Sequence, residues 1–400
     1  MSEIQIKRNV SPAPELCTGC GLCADICPTQ AITITWSKEG FLTPSINPDQ
    51  CINCGKCLNK CIALEQTTKK QDGKPMRVCA GWSKDSDSLK ASSSGGIFAA
   101  LAKMILKQGG CVFGVAWKDT LNAHFIKAEN EQELLPLLGS KYVQAHTQGI
   151  YKSVKRELES GRAVLFSGTP CQVHALRTFL IKEYANLFTV DIVCHGVPSH
   201  LLIEKYYEYC NKGESSLVNI HFRSKTRGWQ SFHVQRTYEN GKESLHPIYE
   251  DPYMRMFLSD RILNKSCYKC QYLSHPREGD ITLGDFWGVE KYHSDWPIEN
   301  GISAILANSP KGITLLNMLS MSLNLYDEPY EHLIPHQGGF QRHLELPKDR
   351  SNILKRLQQD SLEKTVAHTC DWVQIGPFMK INRQWRIYKW LRQLKRWLKK

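Results

Sequence analysis

The 400-residue chain has no run of eighteen apolar residues, and no charged, apolar and cleavable leader opens it. Both absences predict a soluble, unexported, cytoplasmic protein. No full dinucleotide fingerprint of the G-x-G-x-x-G kind occurs, and no nucleic-acid recognition motif is present, so nucleic acid is not an expected partner. Cysteine is too sparse for a disulfide scaffold: there are sixteen, and those that cluster do so at metal-ligand spacing, which suits a reducing interior. Acids are missing from Lys380 to Lys400, where nine bases stand; they account for most of the formal charge of +12 and leave +3 for everything before them. Basicity belongs to the tail, not to the body.

What is present is organised around residues 17 to 61. Cys17, Cys20, Cys23 and Cys27, followed by Pro28, are spaced C-x2-C-x2-C-x3-C-P, and Cys51, Cys54, Cys57 and Cys61 repeat the spacing with Ile62 in place of proline. This is the pattern of paired [4Fe–4S] cubes, in which the fourth cysteine of each repeat reaches the other cube. One set is therefore expected to be Cys17, Cys20, Cys23 and Cys61, and the other Cys51, Cys54, Cys57 and Cys27. Structural zinc and disulfides are the competing readings. No other internal repeat occurs. The alternating stretch Ala31 to Trp36 predicts a short strand covering the cubes, and the polar residues 64 to 77 read as a linker.

Beyond the linker, Ser92, Ser93, Ser94, Gly95 and Gly96 precede the apolar-periodic run Ile97 to Leu106, either as an ordinary helix start or as an anion site at a helix N-terminus. A helix is expected over Glu131 to Leu138. Gly139-Ser140-Lys141-Tyr142 offers a cation and an aromatic ring beside a cofactor. Arg162 to Phe166, Cys171 to Tyr184 and Leu187 to Val193 read as strand, helix and strand, hence two adjacent parallel strands. Cys171 and Cys194 then leave the same carboxyl edge of the sheet, where open α/β folds bind ligands. With Cys267 and Cys270, at C-x2-C spacing, they supply four thiolates, enough for a third [4Fe–4S] cluster; zinc and four unrelated thiols remain the alternatives. Cys79, Cys111, Cys210 and Cys370 are isolated and read as structural. His221 to Thr226 and Ser231 to Tyr238 look like a hairpin, with Arg223, Lys225 and Arg227 either solvated or holding an anionic substrate. Gly284 to Gly288 is an aromatic loop suited to a site wall. From residue 378 onward, apolar residues recur at three-to-four spacing with bases opposite and Trp385, Trp390 and Trp397 among them. That predicts a basic amphipathic helix for residues 378–400, either laid on an anionic membrane face or docked on the body.

Taken in order, Ser92-Ser-Ser-Gly-Gly96, Gly139-Ser-Lys-Tyr142, Phe166-Ser-Gly-Thr-Pro-Cys171-Gln172, Val193-Cys194-His-Gly196, Cys267-x2-Cys270 and Gly279-Asp-Ile-Thr-Leu-Gly-Asp285 resemble the coenzyme F-420 hydrogenase/dehydrogenase beta-subunit family, as a bacterial member with a ferredoxin domain fused in front. The resemblance implies FAD beside an iron–sulfur cluster. It implies that the loops at Ser92–Gly96, Ser140–Tyr142, and Gly168, Thr169, Pro170 and Gln172 line the FAD. Relatives reduce deazaflavins or other organic acceptors, and bacterial ones are associated with surface-polysaccharide synthesis. The fold class expected is an α+β ferredoxin-like bis-cluster domain (1–63) joined by the linker (64–77) to a larger α/β domain with a partly parallel sheet (78–345) and a C-terminal helical segment (346–400). The function expected is an iron–sulfur flavoprotein oxidoreductase. It would take electrons from a donor such as ferredoxin or a reductase and pass them to a small-molecule acceptor, with His195 and Asp285 as proton donors by position. The rivals are a non-catalytic electron-transfer subunit and a cluster-stabilised assembly or sensor protein held at the inner membrane face by its tail.

Overall fold

The computed structural model describes residues 15–65, 73–213, 215–340, 344–370, 373–375 and 379–381. A nine-stranded mixed sheet forms the centre. Its order is Leu323–Asp327, Arg77–Ser83, Ser303–Ala307, Ile281–Asp285, Leu187–Ile192, Val164–Gly168, Cys111–Trp117, Ala123–Ala128 and Ala145–His146. The four strands from Ile281–Asp285 to Cys111–Trp117 run parallel to one another. Parallel strands buried on both faces require apolar residues at successive positions: Val164, Leu165 and Phe166 are all buried.

One face is covered by the helices Ile97–Lys107 and Pro310–Met318, through Ile97, Leu101, Ile105, Leu315 and Leu316. The other is covered by Ile150–Glu159 and Pro170–Leu180, through Tyr151, Val154, Val173 and Leu176. Leu22 and Ile62, from the cysteine-rich segment, pack into this second core. A third core gathers the helices His200–Cys210, Pro252–Leu258, Arg350–Gln359 and Leu362–Thr369 against a three-stranded sheet of Leu217–Ser224, His233–Tyr238 and Glu243–Pro247.

The expected strand–helix–strand unit is present with shifted ends. Its first strand starts two residues later than read, at Val164, and its helix stops at Leu180 rather than Tyr184 because Ile181 turns left-handed (φ 66). The helix expected over Glu131 to Leu138 is α-helical only to Leu134 and continues as a tighter 3-10 turn over Leu135–Leu137. Pro136 has no N–H to extend an α-helical ladder. The helix expected from residue 378 is also corrected where the chain is described: Met379–Ile381 is a strand, antiparallel to Val373–Ile375. Residues 382–400, with Trp385, Trp390 and Trp397 and most of the proposed membrane contact, lie outside the described residues. Among the described residues no helix is long and apolar enough to cross a membrane.

Candidate redox centre

Each cysteine repeat folds as a tight loop feeding one turn of helix, Leu22–Ile26 after Gly21 and Lys56–Asn59 after Gly55. The two loops share a backbone signature. Gly19 and Gly21 have φ 70 and 76, and their counterparts Asn53 and Gly55 have φ 53 and 71. Left-handed residues at alternate positions turn successive cysteines inward, and glycine or asparagine adopts that conformation at least cost. The loops differ in what surrounds them. A Cβ at Gly19 would lie 2.4 Å from Gln144 Nε2, and one at Gly21 would lie 2.3 Å from Thr147 Oγ1, so the first loop is pressed onto the body. The second loop faces outward: Ile52 is 63% exposed, and Cys54 is exposed.

Cys17, Cys20, Cys23 and Cys61 are neighbours, and so are Cys27, Cys51, Cys54 and Cys57. Burial pushes Cys17 up and Cys20 up to about 12, and it raises Cys23 and Cys61. The charges of Cys17 and Cys61 add to the effect at Cys20 and Cys23. Cys57 is raised by burial and by the charges of Cys54 and Cys27, and one concave site is lined by Cys27, Cys51, Cys54 and Cys57 together. Thiols held this high become thiolates only beside a strong cation, which is what an iron centre supplies. Among the described residues no group of three or more His, Cys, Asp or Glu side chains closes tightly enough to hold a single metal ion.

The inner set, around Cys20, is locked to the sheet domain. Thr147 Oγ1 and Tyr151 Oη both donate to the Cys20 carbonyl (2.7 and 2.6 Å). Gln144 Oε1 accepts Leu42 N–H at 2.9 Å, while its Nε2 donates to the Thr18 carbonyl at 3.1 Å. Gln148 Oε1 accepts Ile34 N–H at 3.0 Å. At the far end of the Ile32–Trp36/Leu42–Ile46 hairpin, buried Arg350 donates to Glu39 (2.8 Å) and to the Leu263 carbonyl (2.9 Å).

Against this face stands the second group of thiols. Cys171 opens the helix Pro170–Leu180 just past the strand Val164–Gly168; Cys194 follows the parallel neighbour Leu187–Ile192. The shared edge expected from the sequence is thus present. Cys267 and Cys270 come from the 3-10 turn Lys265–Lys269, which is tied to the Cys194 loop by Asn264 N–H donating to the Val197 carbonyl at 2.8 Å. Thr169 and Gln172 form a reciprocal cap that sets the helix start, and Thr169 Oγ1 lies 3.1 Å from Cys171 Sγ. Burial raises all four thiols, with Cys194 pushed up to about 11 and Cys267 to about 12. After burial, Cys171 feels the charges of Cys194, Cys270 and, from the inner ferredoxin set, Cys20. Four mutually repelling buried thiols at a sheet edge fit a polynuclear cation in number and charge.

The loops expected beside FAD separate into two places. Ser93 Oγ accepts Ser140 N–H at 2.8 Å, joining the Ser92–Gly96 and Ser140–Tyr142 loops. Gly168, Thr169, Pro170 and Gln172 lie at the cysteine edge, and among the described residues no hydrogen bond joins them to the other two loops. Several donors of the serine loop are spent inside the chain: Ser92 Oγ on the Ser88 carbonyl, Ser94 Oγ on the Ile302 carbonyl, Gly95 N–H on Ser303 Oγ. The helix Ile97–Lys107 has left-handed Gly96 at its start and no side-chain cap. Cations crowd this end. Burial lowers Lys141 to about 7 and Lys225 to about 8; His221 is lowered by burial and then by Lys141, Lys225 and Arg223. An uncapped helix start among cations fits a phosphate-bearing cofactor.

The two candidate proton donors are both engaged. Asp285 pairs with buried Arg223 (2.8 and 3.1 Å) and accepts Trp229 Nε1–H at 3.1 Å. Arg223 lies against both Phe232 and Trp287, neighbouring rings, so the aromatic loop walls this ion pair. His195 Nε2 lies 2.7 Å from Asp260 Oδ1. Arg227, at the hairpin turn, is exposed. Cys79, Cys111, Cys210 and Cys370 are buried apart from the cysteine sets. The sequence reading missed Asp25, Tyr151, His174, Tyr272 and Arg350, because each acts across a contact distant in sequence.

Residues 161–331 match the family described as the C terminus of the coenzyme F420 hydrogenase/dehydrogenase beta subunit, and residues 16–63 match the 4Fe-4S dicluster domain. The F subunit of the F(420)H(2) dehydrogenase of Methanosarcina mazei is 21% identical over 188 residues, 45% of this chain and 52% of that protein. The chain therefore spans about half the length of that relative. Ferredoxin-1 of Rhodobacter capsulatus is 42% identical over 55 residues, 12% of this chain and 77% of the ferredoxin. A chain of the F420-reducing [NiFe] hydrogenase complex from Methanosarcina barkeri is 19% identical with a TM-score of 0.44, over 74% of this chain and 92% of that one.

Proposed function

Because this chain belongs to the coenzyme F420 hydrogenase/dehydrogenase beta-subunit family and carries a 4Fe-4S dicluster segment in front of it, we propose that it is an iron–sulfur oxidoreductase working as a three-station relay. Residues 1–63 are the entry domain and 78–345 the domain where electrons are collected. Single electrons enter at the exposed set of Cys27, Cys51, Cys54 and Cys57. Cys17, Cys20, Cys23 and Cys61 would hold the inner cluster and Cys171, Cys194, Cys267 and Cys270 a third, and each would supply a one-electron carrier. The Ser92–Gly96 and Ser140–Tyr142 loops would hold FAD, which would supply the pairing of two electrons that a hydride acceptor needs. The chain's own part is to bury the inner thiols, fix their spacing and keep water from the sheet edge. The observation that carries the reading is that Cys20 of the inner set and Cys171 of the sheet-edge set pack on one core, with Leu22, Tyr151 and Val173.

The test is anaerobic purification followed by iron and flavin assay. Three four-iron centres give about twelve irons per chain, with one flavin; about eight irons would remove the third centre. A second reading, an electron-transfer subunit whose acceptor sits on a partner protein, is favoured by the commitment of both Asp285 and His195 to internal pairs. Turnover of a small acceptor by the purified chain with a reduced low-potential donor would exclude it.

A further inference from the structure

The inner thiol set and the sheet-edge set are bridged by hydrogen-bonded side chains that neither set needs as ligands. Ile62 directly follows Cys61, and its carbonyl accepts Gln271 Nε2–H at 3.2 Å. Gln271 Nε2 also lies 2.9 Å from Tyr272 Oη, which lies 2.8 Å from His174 Nδ1. His174 Nε2 is 2.9 Å from Glu65 Oε2. An ionised carboxylate only accepts, so the imidazole carries its proton on Nε2 and its Nδ1 accepts from the phenol, whose oxygen accepts from the amide. Every donor then has an acceptor, and the chain runs in one direction.

Its anchor points matter more than its polarity. Both ends lie at the close of the ferredoxin segment: Ile62 follows Cys61, and Glu65, the second residue of the linker, donates its N–H to the Cys61 carbonyl at 3.2 Å. The middle belongs to the sheet-edge set: His174 sits one turn after Cys171 on the helix Pro170–Leu180, and Gln271 and Tyr272 directly follow Cys270. The Tyr272 ring is buried and stands edge-on to His174, 5.7 Å between centroids. Tyr151 closes the other side, buried, with its hydroxyl on the Cys20 carbonyl.

We propose that Glu65, His174, Tyr272 and Gln271 form a clamp that fixes the spacing between the inner and the sheet-edge thiol sets, which makes His174 a positioning residue for the electron crossing. This rests on the relay reading above. One electron crosses per step, lost by the inner centre and gained by the sheet-edge centre. It is supplied by a low-potential one-electron carrier, and no proton is moved. Tunnelling falls steeply with distance, so a clamp joining ligand loops on both sides acts on the rate of crossing without touching either centre.

The test uses the full chain, purified anaerobically and reduced with dithionite, as wild type and as His174→Leu, Tyr272→Phe and Glu65→Gln. Iron per chain, thermal unfolding and the electron paramagnetic resonance spectrum are measured. In His174→Leu the magnetic interaction between the two reduced centres is expected to be lost while iron stays at the wild-type level. Glu65→Gln, whose amide oxygen still accepts from Nε2–H, is expected to retain the interaction. If the leucine variant sheds iron, Tyr272→Phe decides, since it removes only a hydroxyl. An interaction undiminished in an iron-replete His174→Leu or Tyr272→Phe protein overturns the clamp. A wild-type chain with only about eight irons overturns the relay as well, and the iron count tells that failure from failure of the clamp alone.

Discussion

Asp25 caps a helix to which it does not belong: its carboxylate accepts the N–H of Tyr151 at 3.0 Å and that of Gly149 at 2.6 Å, at the start of Ile150–Glu159. A residue inside the first cysteine repeat thus satisfies the helix N-terminus that carries Tyr151 to the Cys20 carbonyl. Removing an ionised acceptor of two backbone donors costs on the order of 2–3 kcal/mol, so Asp25→Ala should lower the unfolding midpoint and loosen the ferredoxin segment, read as faster proteolysis between residues 60 and 78. The pH dependence has a definite sign. Burial raises the Asp25 carboxyl above its ordinary value against the opposing pull of the Gly149 and Tyr151 N–H groups. The folded state therefore favours the protonated acid, and that contribution is lost as pH rises through the raised value. Asp25→Asn, which cannot ionise, should gain on the wild type over that interval in denaturant titrations.

Both cysteine repeats and the shared edge of Cys171 and Cys194 were legible because spacing and strand order act locally. What was not legible is what holds those pieces against one another. Gln144, Thr147 and Gln148 are unremarkable loop residues in the sequence, yet they meet the cysteine segment across gaps of 102 to 127 residues. Asp285 was readable as part of a site wall. Its partner Arg223 lies 62 residues away, so its commitment to an ion pair was not.

Serine replacement should subtract centres one at a time. Cys54 belongs to the exposed outer set, so Cys54→Ser should disturb that centre and leave the inner and sheet-edge sets loaded. Cys194→Ser should remove about four irons, those of the sheet-edge set alone. Cys79→Ala is the control: that thiol is buried with its Sγ on Asp327 Oδ1 at 3.3 Å, far from either group, and iron per chain should not change. Iron and sulfide assays on anaerobic protein read all three outcomes.

A histidine stack predicts how docking of the hairpin responds to acid. His124 lies on His146 (4.4 Å between centroids), and Trp36 of the ferredoxin hairpin lies on His200 (4.0 Å) and edge-on to His146. Burial lowers His146 and His200 to about 4; the charge of His124 adds to the effect at His146, and that of His146 at His200. Asp119 and Glu204 are the acids nearby and Lys118 the base, and Asp119 only partly offsets the shift at His200. Depressed histidines are neutral in the fold and protonated when unfolded, so stability falls as pH drops from about 6.5 to about 4. For His200, which is almost fully buried, the loss is at most about 3 kcal/mol. His200→Phe should flatten this part of the curve of unfolding free energy against pH.

The Arg223–Asp285 pair separates a structural from a chemical role for the aspartate. Arg223 is only 4% exposed, and it donates to both Asp285 oxygens, to Tyr142 Oη and to the Ser93 carbonyl. It therefore ties both proposed cofactor loops to the strand Ile281–Asp285. Breaking a buried pair by deleting one partner costs about 3–5 kcal/mol, because the remaining charge is left without compensation. Asp285→Asn keeps one acceptor for the guanidinium and for Trp229 but removes the charge, and should lose a substantial part of that stability together with flavin retention. A paired change, Arg223→Met with Asp285→Leu, removes both charges and should recover stability. If the single variant unfolds no more readily than wild type yet abolishes turnover of a small acceptor, Asp285 is a proton donor after all; if stability, flavin content and turnover fall together, it is the post on which the loops hang.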